Sequence, residues 1–196
     1  MLPFGVFSAA NQVRLPFILK EERCDVYHST NYMIPLAHRR GRPGAPAYVA
    51  TIHDVIPMLF PDHAPHARKT RLMPVFRGVM RRVGRCADLI LTVSHRSRLD
   101  ILDRLRMPAA DADRVRAIHN GVTAGFDRRD AAPRRLPAPG ATRRLLYVGR
   151  ADPYKNANLL IHCLADLRTS LPFPVELVMV GPRDPRYPDA ENLARR

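Results

Sequence analysis

The stretch LLYVGRADPYKNANLLI, residues 145–161, decides how this chain is organised. Residues 145–148 are an apolar run with β-preferring side chains that stops at Gly149, which predicts a buried strand followed by a turn. Downstream, Pro153 suits the first turn of a helix. Apolar residues then recur at helical spacing on one face, namely Leu160, Cys163, Leu164, Leu167 and Leu171. The stretch therefore predicts a strand, a turn and a helix.

Two cationic side chains, Arg150 and Lys155, lie in the predicted turn. A helix N-terminus carries unpaired N–H groups and a partial positive charge, so it favours anions. The turn therefore predicts a site for a phosphate or diphosphate. Because the chain has 32 Lys and Arg residues, solvated surface charge is the alternative interpretation.

Composition bounds the class of protein. With 196 residues and 46% apolar content, the chain can form one packed domain or two small ones. The net charge of +14 favours acidic partners, such as nucleotides, nucleic acid or an anionic membrane surface, without choosing among them.

Cysteine usage and apolar runs indicate the compartment. Cys24, Cys86 and Cys163 are odd in number and widely spaced, which indicates neither a disulfide framework nor a zinc site. The start MLPFGVFSAA has no preceding basic segment, and no apolar run approaches the roughly 20 residues of a membrane span. The sequence predicts a cytoplasmic protein whose contact with a membrane is at most peripheral.

Strand and helix patterns alternate along the chain. The predicted strands are residues 25–29, 47–52, 88–93, 115–118 and 175–180, in addition to 145–148. The predicted helices include 15–23 and one that Ser94 caps and that runs to Leu105. Residues 123–142 are rich in Pro, Asp and Arg and lack apolar periodicity. We therefore expect domains at 1–122 and 143–196 joined by a linker at 123–142, each an α/β unit with a parallel sheet.

A further helix is predicted over residues 68–85, with Pro74 in its first turn. Its apolar stripe is Leu72, Val75, Phe76, Val79, Met80 and Val83. Arginines flank the stripe at 77, 81, 82 and 85, which fits either an amphipathic surface for anionic lipid or a sheet-covering helix with solvated charges.

In parallel α/β sheets, ligands bind beyond the carboxyl ends of the strands. The residues at the predicted strand ends are His28, Ser29, His53, Asp54, Ser94, Asn120, Gly121, Gly149, Arg150 and Gly181. These are the candidate site residues.

Six motifs resemble the retaining glycosyltransferases of family 4 (group 1), and they occur in that family's order. They are DVYHST, ATIHDVIPMLFP, ADLILTVSHRSRLDI, IHNGV, LLYVGRADPYKN and LVMVG. The resemblance implies a GT-B fold of two Rossmann-like, doubly wound domains. It implies retaining transfer from a nucleotide-diphosphate sugar to a glycan or lipid-linked acceptor, in cell-surface polysaccharide biosynthesis, with no cofactor.

The resemblance also implies residue roles. His53 corresponds to the histidine near the transferred sugar, and Asp54 orients its loop. Arg150 and Lys155, beside Gly149, correspond to the pair that binds the donor diphosphate. Ser94, Asn120, Gly121 and Gly181 would face the donor, with Gly121 in a left-handed turn. Thr123 stands where the family usually has Asp, which departs from its pattern.

Other interpretations remain open. The His53–Asp54 pair also occurs in metal-dependent phosphohydrolases, but His63 and His66 do not complete a ligand set, so we expect no metal. A nucleotide-sugar epimerase shares the GT-B architecture, and the high positive charge would suit a non-catalytic binder of nucleic acid or anionic surfaces. Because no aromatic-basic platform accompanies the charge, nucleic acid is not the expected partner.

Compared with the family pattern, the first strand with its Gly-rich loop and a later glutamate pair are missing, and Glu191 is left unassigned. The resemblance therefore predicts that both domains are incomplete and that this chain is an inactive fragment.

Overall fold

A computed structural model describes residues 8–61, 72–123 and 138–195. The chain divides into two compact units, which separate between Gly121 and Val122. We call them the N-terminal unit, with described residues 8–61 and 72–121, and the C-terminal unit, which includes 138–195. Most of the predicted linker, residues 124–137, lies outside the described residues, so the linker stays a prediction.

The N-terminal unit is built on a parallel sheet. Its strands are β1 (Val26–Ser29), β2 (Ala47–Thr51), β3 (Leu89–Thr92) and β4 (Val115–Ala117). They lie side by side in chain order, and every neighbouring pair is parallel. This confirms the predicted α/β class with a Rossmann-like parallel sheet.

The described helices of this unit are α1 (Ala9–Glu21), α2 (Ile56–Leu59), α3 (Met73–Cys86) and α4 (His95–Arg104). A 3₁₀ helix, Ala109–Arg114, leads into β4. Helix α1 begins earlier than the predicted 15–23, because the Ser8 hydroxyl accepts a hydrogen bond from the Asn11 N–H and caps it.

Helix α3 covers the core with most of the predicted stripe, while the predicted helix residues 68–71 lie outside the described residues. Met73, Phe76, Met80 and Val83 are buried, whereas Leu72 and Val75 are about three-fifths exposed, at 58% and 62%. Residues 73, 76, 80 and 83 follow the i, i+3, i+7, i+10 spacing of one narrow helical stripe. Leu72 precedes the helix and Val75 lies beside that stripe, so the prediction is wrong for these two residues.

The C-terminal unit contains two parallel, in-register strands, β5 (Arg143–Val148) and β6 (Val175–Val180). Helix α5 (Ala157–Ser170) packs against β6, and α6 (Asp189–Ala194) packs against α5. The prediction that residues 145–148 form a buried strand is wrong about burial, since Leu146 is 67% and Val148 71% exposed. These two side chains share one face of the sheet, which the described residues leave uncovered.

The helix after this turn also differs from the prediction. Pro153–Lys155 is a 3₁₀ turn, and α5 begins only at Ala157, because Asn156 adopts a left-handed conformation with φ of 52° and interrupts the helix. The covered face of α5 follows Ala157, Ile161 and Leu164, while the predicted Leu160 and Cys163 are exposed.

Candidate functional site

The candidate residues of the N-terminal unit meet at the carboxyl edge of its sheet. Strand registers pair Thr51 with Leu91 and Thr92 with Ala117. The ladder continues one residue further, because the Ile52 N–H donates to the Leu91 carbonyl and the Ile118 N–H donates to the Thr92 carbonyl, at 2.8 and 2.7 Å. The loops that follow β2, β3 and β4 therefore leave the sheet at a common level.

The loop after β2 carries His53 and Asp54, and both side chains are exposed. An Asp54 carboxylate oxygen accepts a hydrogen bond from the Ile56 N–H at 3.0 Å, which ties the loop to the start of α2. The Thr92 hydroxyl donates to the His53 carbonyl oxygen at 3.4 Å. These contacts hold the loop backbone and leave the His53 imidazole open to solvent.

The loop after β3 presents Ser94. Its hydroxyl accepts from the Ser97 N–H at 3.0 Å, so Ser94 is the N-cap of α4, as predicted. Its hydroxyl also lies 3.0 Å from the Ser97 hydroxyl oxygen. This hydrogen bond stabilises the start of α4. The role of Ser94 in donor binding stays a prediction.

Asn120 and Gly121 follow β4 and are exposed. The expected left-handed turn at Gly121 is wrong: the left-handed glycines of the described chain are Gly41, Gly44, Gly140 and Gly149. A Cβ added to Gly121 would meet nothing within 4 Å, so its surroundings do not require glycine.

Histidines add to this edge in a way that sequence reasoning missed. The rings of His95 and His119 are 5.5 Å apart in an edge-to-face arrangement, and His28 Nε2 lies 2.8 Å from the Thr51 hydroxyl oxygen. Each histidine stands at or just after a strand end, which is the signal that could have found His95 and His119. Across the part of the chain that the structure describes, no group of three His, Cys, Asp or Glu side chains could hold a metal ion.

In the C-terminal unit the two strand-end glycines touch. The Gly149 N–H donates to the Val180 carbonyl at 2.9 Å, and a Cβ added to Gly181 would lie 2.0 Å from the Gly149 carbonyl oxygen. Gly149 itself has φ of 156°. The chain passes so closely here that position 181 admits only glycine without a backbone shift.

Arg150 is held in an ion-pair network. Its guanidinium contacts the Asp152 carboxylate at 2.9 Å and the Asp184 carboxylate at 2.6 Å, and Arg186 also contacts Asp184 at 2.6 Å. A side-chain hydrogen bond from Arg186 is the largest cause of the pKa of Asp184 lying well below its usual range. Two arginines and two aspartates balance in charge, so Arg150 offers no net positive charge to a ligand in this arrangement.

Lys155 lies at the end of the 3₁₀ turn and not in the first turn of an α-helix as predicted. Its Nζ lies 5.0 Å from the centre of the Tyr154 ring. The Lys155 side chain is exposed. Its ammonium could therefore approach a diphosphate without breaking the ion pairs of Arg150 with Asp152 and Asp184.

A cavity of about 610 Å³ opens at the carboxyl end of β6. Its lining includes Gly149 and Gly181, but not Arg150 or Lys155. Glu191, left unassigned by the sequence, also lines it and pairs with Arg183 at 3.3 Å and Arg195 at 2.5 Å. A hydrogen bond from Arg195 is the main cause of a lowered pKa for the Glu191 carboxyl, which keeps it ionised in this wall.

The family model described as Glycosyltransferase Family 4 matches residues 1–126, well over half of the chain. The chain belongs to this family, whose members act on a sugar donor and an acceptor. No curated protein matches the chain. Among the helices that the structure describes, none has the length and apolar character needed to cross a bilayer.

Proposed function

We propose that this protein is a retaining glycosyltransferase that moves a sugar from a nucleotide-diphosphate sugar to a glycan or lipid-linked acceptor in cell-surface polysaccharide biosynthesis. The observation that carries the proposal is the family match over residues 1–126, since transfer of a sugar is the activity of that family. The parallel sheet with polar residues at its carboxyl edge is consistent with it.

In the proposed reaction, residues of the N-terminal unit would contact the transferred sugar. His53 corresponds to the family histidine near the transferred sugar and would approach it here. Its exposed imidazole and its backbone contact with Thr92 are compatible with that role. Asp54 would act as a positioning residue, since its carboxylate is occupied with the Ile56 N–H. Ser94, Asn120 and Gly121 lie at the same edge and would shape the donor surface.

Residues of the C-terminal unit would contact the nucleotide. Glycines at both strand ends let a ligand approach the backbone, and the cavity of about 610 Å³ lies within the usual range of ligand pockets, roughly 300–1,000 Å³. Negative charge grows on the diphosphate as its bond to the sugar breaks, and a fixed cation stabilises that growth. We assign this role first to Lys155.

Arg150 remains a proposed diphosphate ligand under one condition. Its guanidinium can reach an anion only by giving up Asp152 or Asp184, and that exchange costs part of the network. In the arrangement described, Arg150 supports the loop between Gly149 and the 3₁₀ turn.

The first test measures nucleotide binding with this chain. It measures transfer with a version extended by the first strand and the glutamate pair of the family pattern, because the sequence predicts that this chain alone is inactive. Titration calorimetry with a panel of nucleoside diphosphates should give saturable binding to one of them. Mass spectrometry with the matching nucleotide sugar should detect a glycosylated acceptor, and NMR of the product should show retained anomeric configuration. Absence of both binding and transfer across the panel would contradict the proposal.

The second test separates the two cations. In the extended version, Lys155→Ala should lower kcat/KM by roughly 10²–10³, the usual effect of losing one preorganised charge donor, mainly through kcat. Arg150→Ala should also lower nucleotide affinity, because it releases Asp184 beside the cavity. Lys20→Ala, an exposed lysine of α1, is the matched control and should keep wild-type kinetics. If Lys155→Ala behaves like Lys20→Ala, Lys155 is a surface charge and its assignment is wrong.

A cytoplasmic location and peripheral contact with an anionic membrane remain predictions from the sequence.

A further inference from the structure

The arginines of the N-terminal unit divide into two kinds. Arg82, Arg98 and Arg114 donate to backbone carbonyls and thereby hold loops against the core. Their guanidinium groups are used by the fold itself. A second set, within α3 and at the C-terminal end of α4, lacks such backbone partners among the described residues.

This second set surrounds a small cavity of about 310 Å³. Its lining is almost wholly polar and consists of Met58, Arg77, Arg81, Asp103, Arg104 and Arg106. Four guanidinium groups against a single carboxylate leave a formal net charge of +3. Like charges that line one small cavity repel one another, and an anion bound there would offset that repulsion.

One donor in this cavity has no acceptor. The Arg81 Nε atom is buried and has no hydrogen-bond partner in the described structure. Asp103 pairs with its neighbour Arg104 at 3.3 Å, so it does not satisfy Arg81. A buried unsatisfied donor on a charged group is costly, so the fold alone does not satisfy this guanidinium.

We propose that this cavity binds a phosphate group, either a phosphomonoester or a diphosphate. Guanidinium groups bind phosphate oxygens through paired, charge-assisted hydrogen bonds, and several can converge on one anion. Because Met58 is the one apolar lining residue, the cavity fits an oxyanion and not an apolar ligand. The phosphate can belong to a lipid headgroup at a membrane surface or to a molecule free in solution.

The chain offers a matched pair of positions for a test. Arg106 directly follows the C-cap of α4 and has a left-handed φ of 55°. Arg23 directly follows the C-cap of α1 and has a left-handed φ of 50°. Glycine is favoured at such positions, so Arg106→Gly and Arg23→Gly should both keep the fold. Of the two, only Arg106 lines the cavity.

The experiment titrates the whole chain with inorganic pyrophosphate by calorimetry. Arg106→Gly and Arg81→Gln should weaken binding roughly ten- to hundredfold, the loss expected for one charged hydrogen-bonding group. Arg23→Gly and Arg85→Gln each remove one positive charge outside the cavity and should bind like wild type. All variants are repeated with Lys155→Ala so that the proposed donor site does not contribute.

Vesicle sedimentation then identifies the source of the phosphate. The ligand is a lipid headgroup if three results are found together. Phosphatidic acid vesicles bind the chain, pyrophosphate competes with them, and Arg106→Gly abolishes their binding. If pyrophosphate binds in the cavity but those vesicles bind no better than phosphatidylcholine vesicles, it is a soluble phosphate. Equal losses in Arg23→Gly and Arg106→Gly, or no binding of either probe, would overturn the proposal.

Discussion

The two units show how one sequence pattern leads to two different degrees of burial. β3 in the N-terminal unit lies between β2 and β4, and its Ile90 is fully buried. Residues 145–148 of β5 in the C-terminal unit are also apolar, but Leu146 and Val148 are mostly exposed, and Val178 and Val180 beside them are 40% and 50% exposed. Apolar side chains stabilise a fold only when a neighbouring layer removes them from water. Stability should therefore reside mainly in the N-terminal unit.

The largest expected effect tests this difference directly. Met80→Ala removes a fully buried side chain of α3 and should lower the free energy of unfolding by about 2–5 kcal/mol. Val148→Ala truncates an exposed side chain of β5 and should change it by no more than about 0.5 kcal/mol. Urea unfolding followed by circular dichroism measures both. Equal losses would mean that the exposed face of β5 is covered in solution, which would break the comparison.

A second effect contrasts two strand-end glycines. Gly181→Ala places a methyl group against the Gly149 carbonyl and should cost about 1–3 kcal/mol, with loss of nucleoside diphosphate binding. Gly121→Ala meets no atom within 4 Å and should be nearly neutral. Thermal unfolding and calorimetry distinguish the two variants. If Gly181→Ala leaves the melting temperature unchanged, the strand ends at Gly149 and Gly181 are further apart than the 2.0 Å approach implies.

A third effect contrasts the starts of two helices. Ser94→Ala removes the side-chain cap of α4 and should cost about 0.5–2 kcal/mol. Asn156 precedes α5 in a left-handed conformation without a capping side-chain bond, so Asn156→Gly should be neutral or slightly stabilising. Urea midpoints measure both changes. If Ser94→Ala costs nothing, its hydroxyl does not act as a cap in solution.

The smallest expected effect concerns acid. Hydrogen bonds from Arg114 and then Arg40 lower the pKa of Asp111 to about 2, from an ordinary value of 3.8. Because the folded pKa is the lower one, this stabilisation is present above about pH 4 and disappears as the pH falls toward 2. The Asp111 side chain is partly exposed to solvent, at 22%, so salt should weaken the effect. Unfolding midpoints of wild type and Asp111→Asn should therefore converge between these pH values, and a constant difference would contradict the pairing.

The sequence by itself determined the α/β class, the positions of the strands and the family. Alternating apolar runs, the Ser94 cap and the motif order are local signals, and local signals are written in consecutive residues. The same local signals predict that His53, Asp54, Ser94 and Asn120 lie at the ends of strands. Strand ends could be predicted because parallel topology sends them all to one edge of the sheet.

Only the tertiary structure decided which of these groups are occupied by other contacts. Arg150 looked like a diphosphate ligand in the sequence, but Asp184, more than thirty residues later, neutralises it. Likewise, the arginines that line the 310 Å³ cavity lie on or next to two different helices. The exposure of the β5 side chains depends on which layer packs against them. Charge pairing and burial depend on distances between segments remote in the chain, and periodicity within one segment carries no information about those distances.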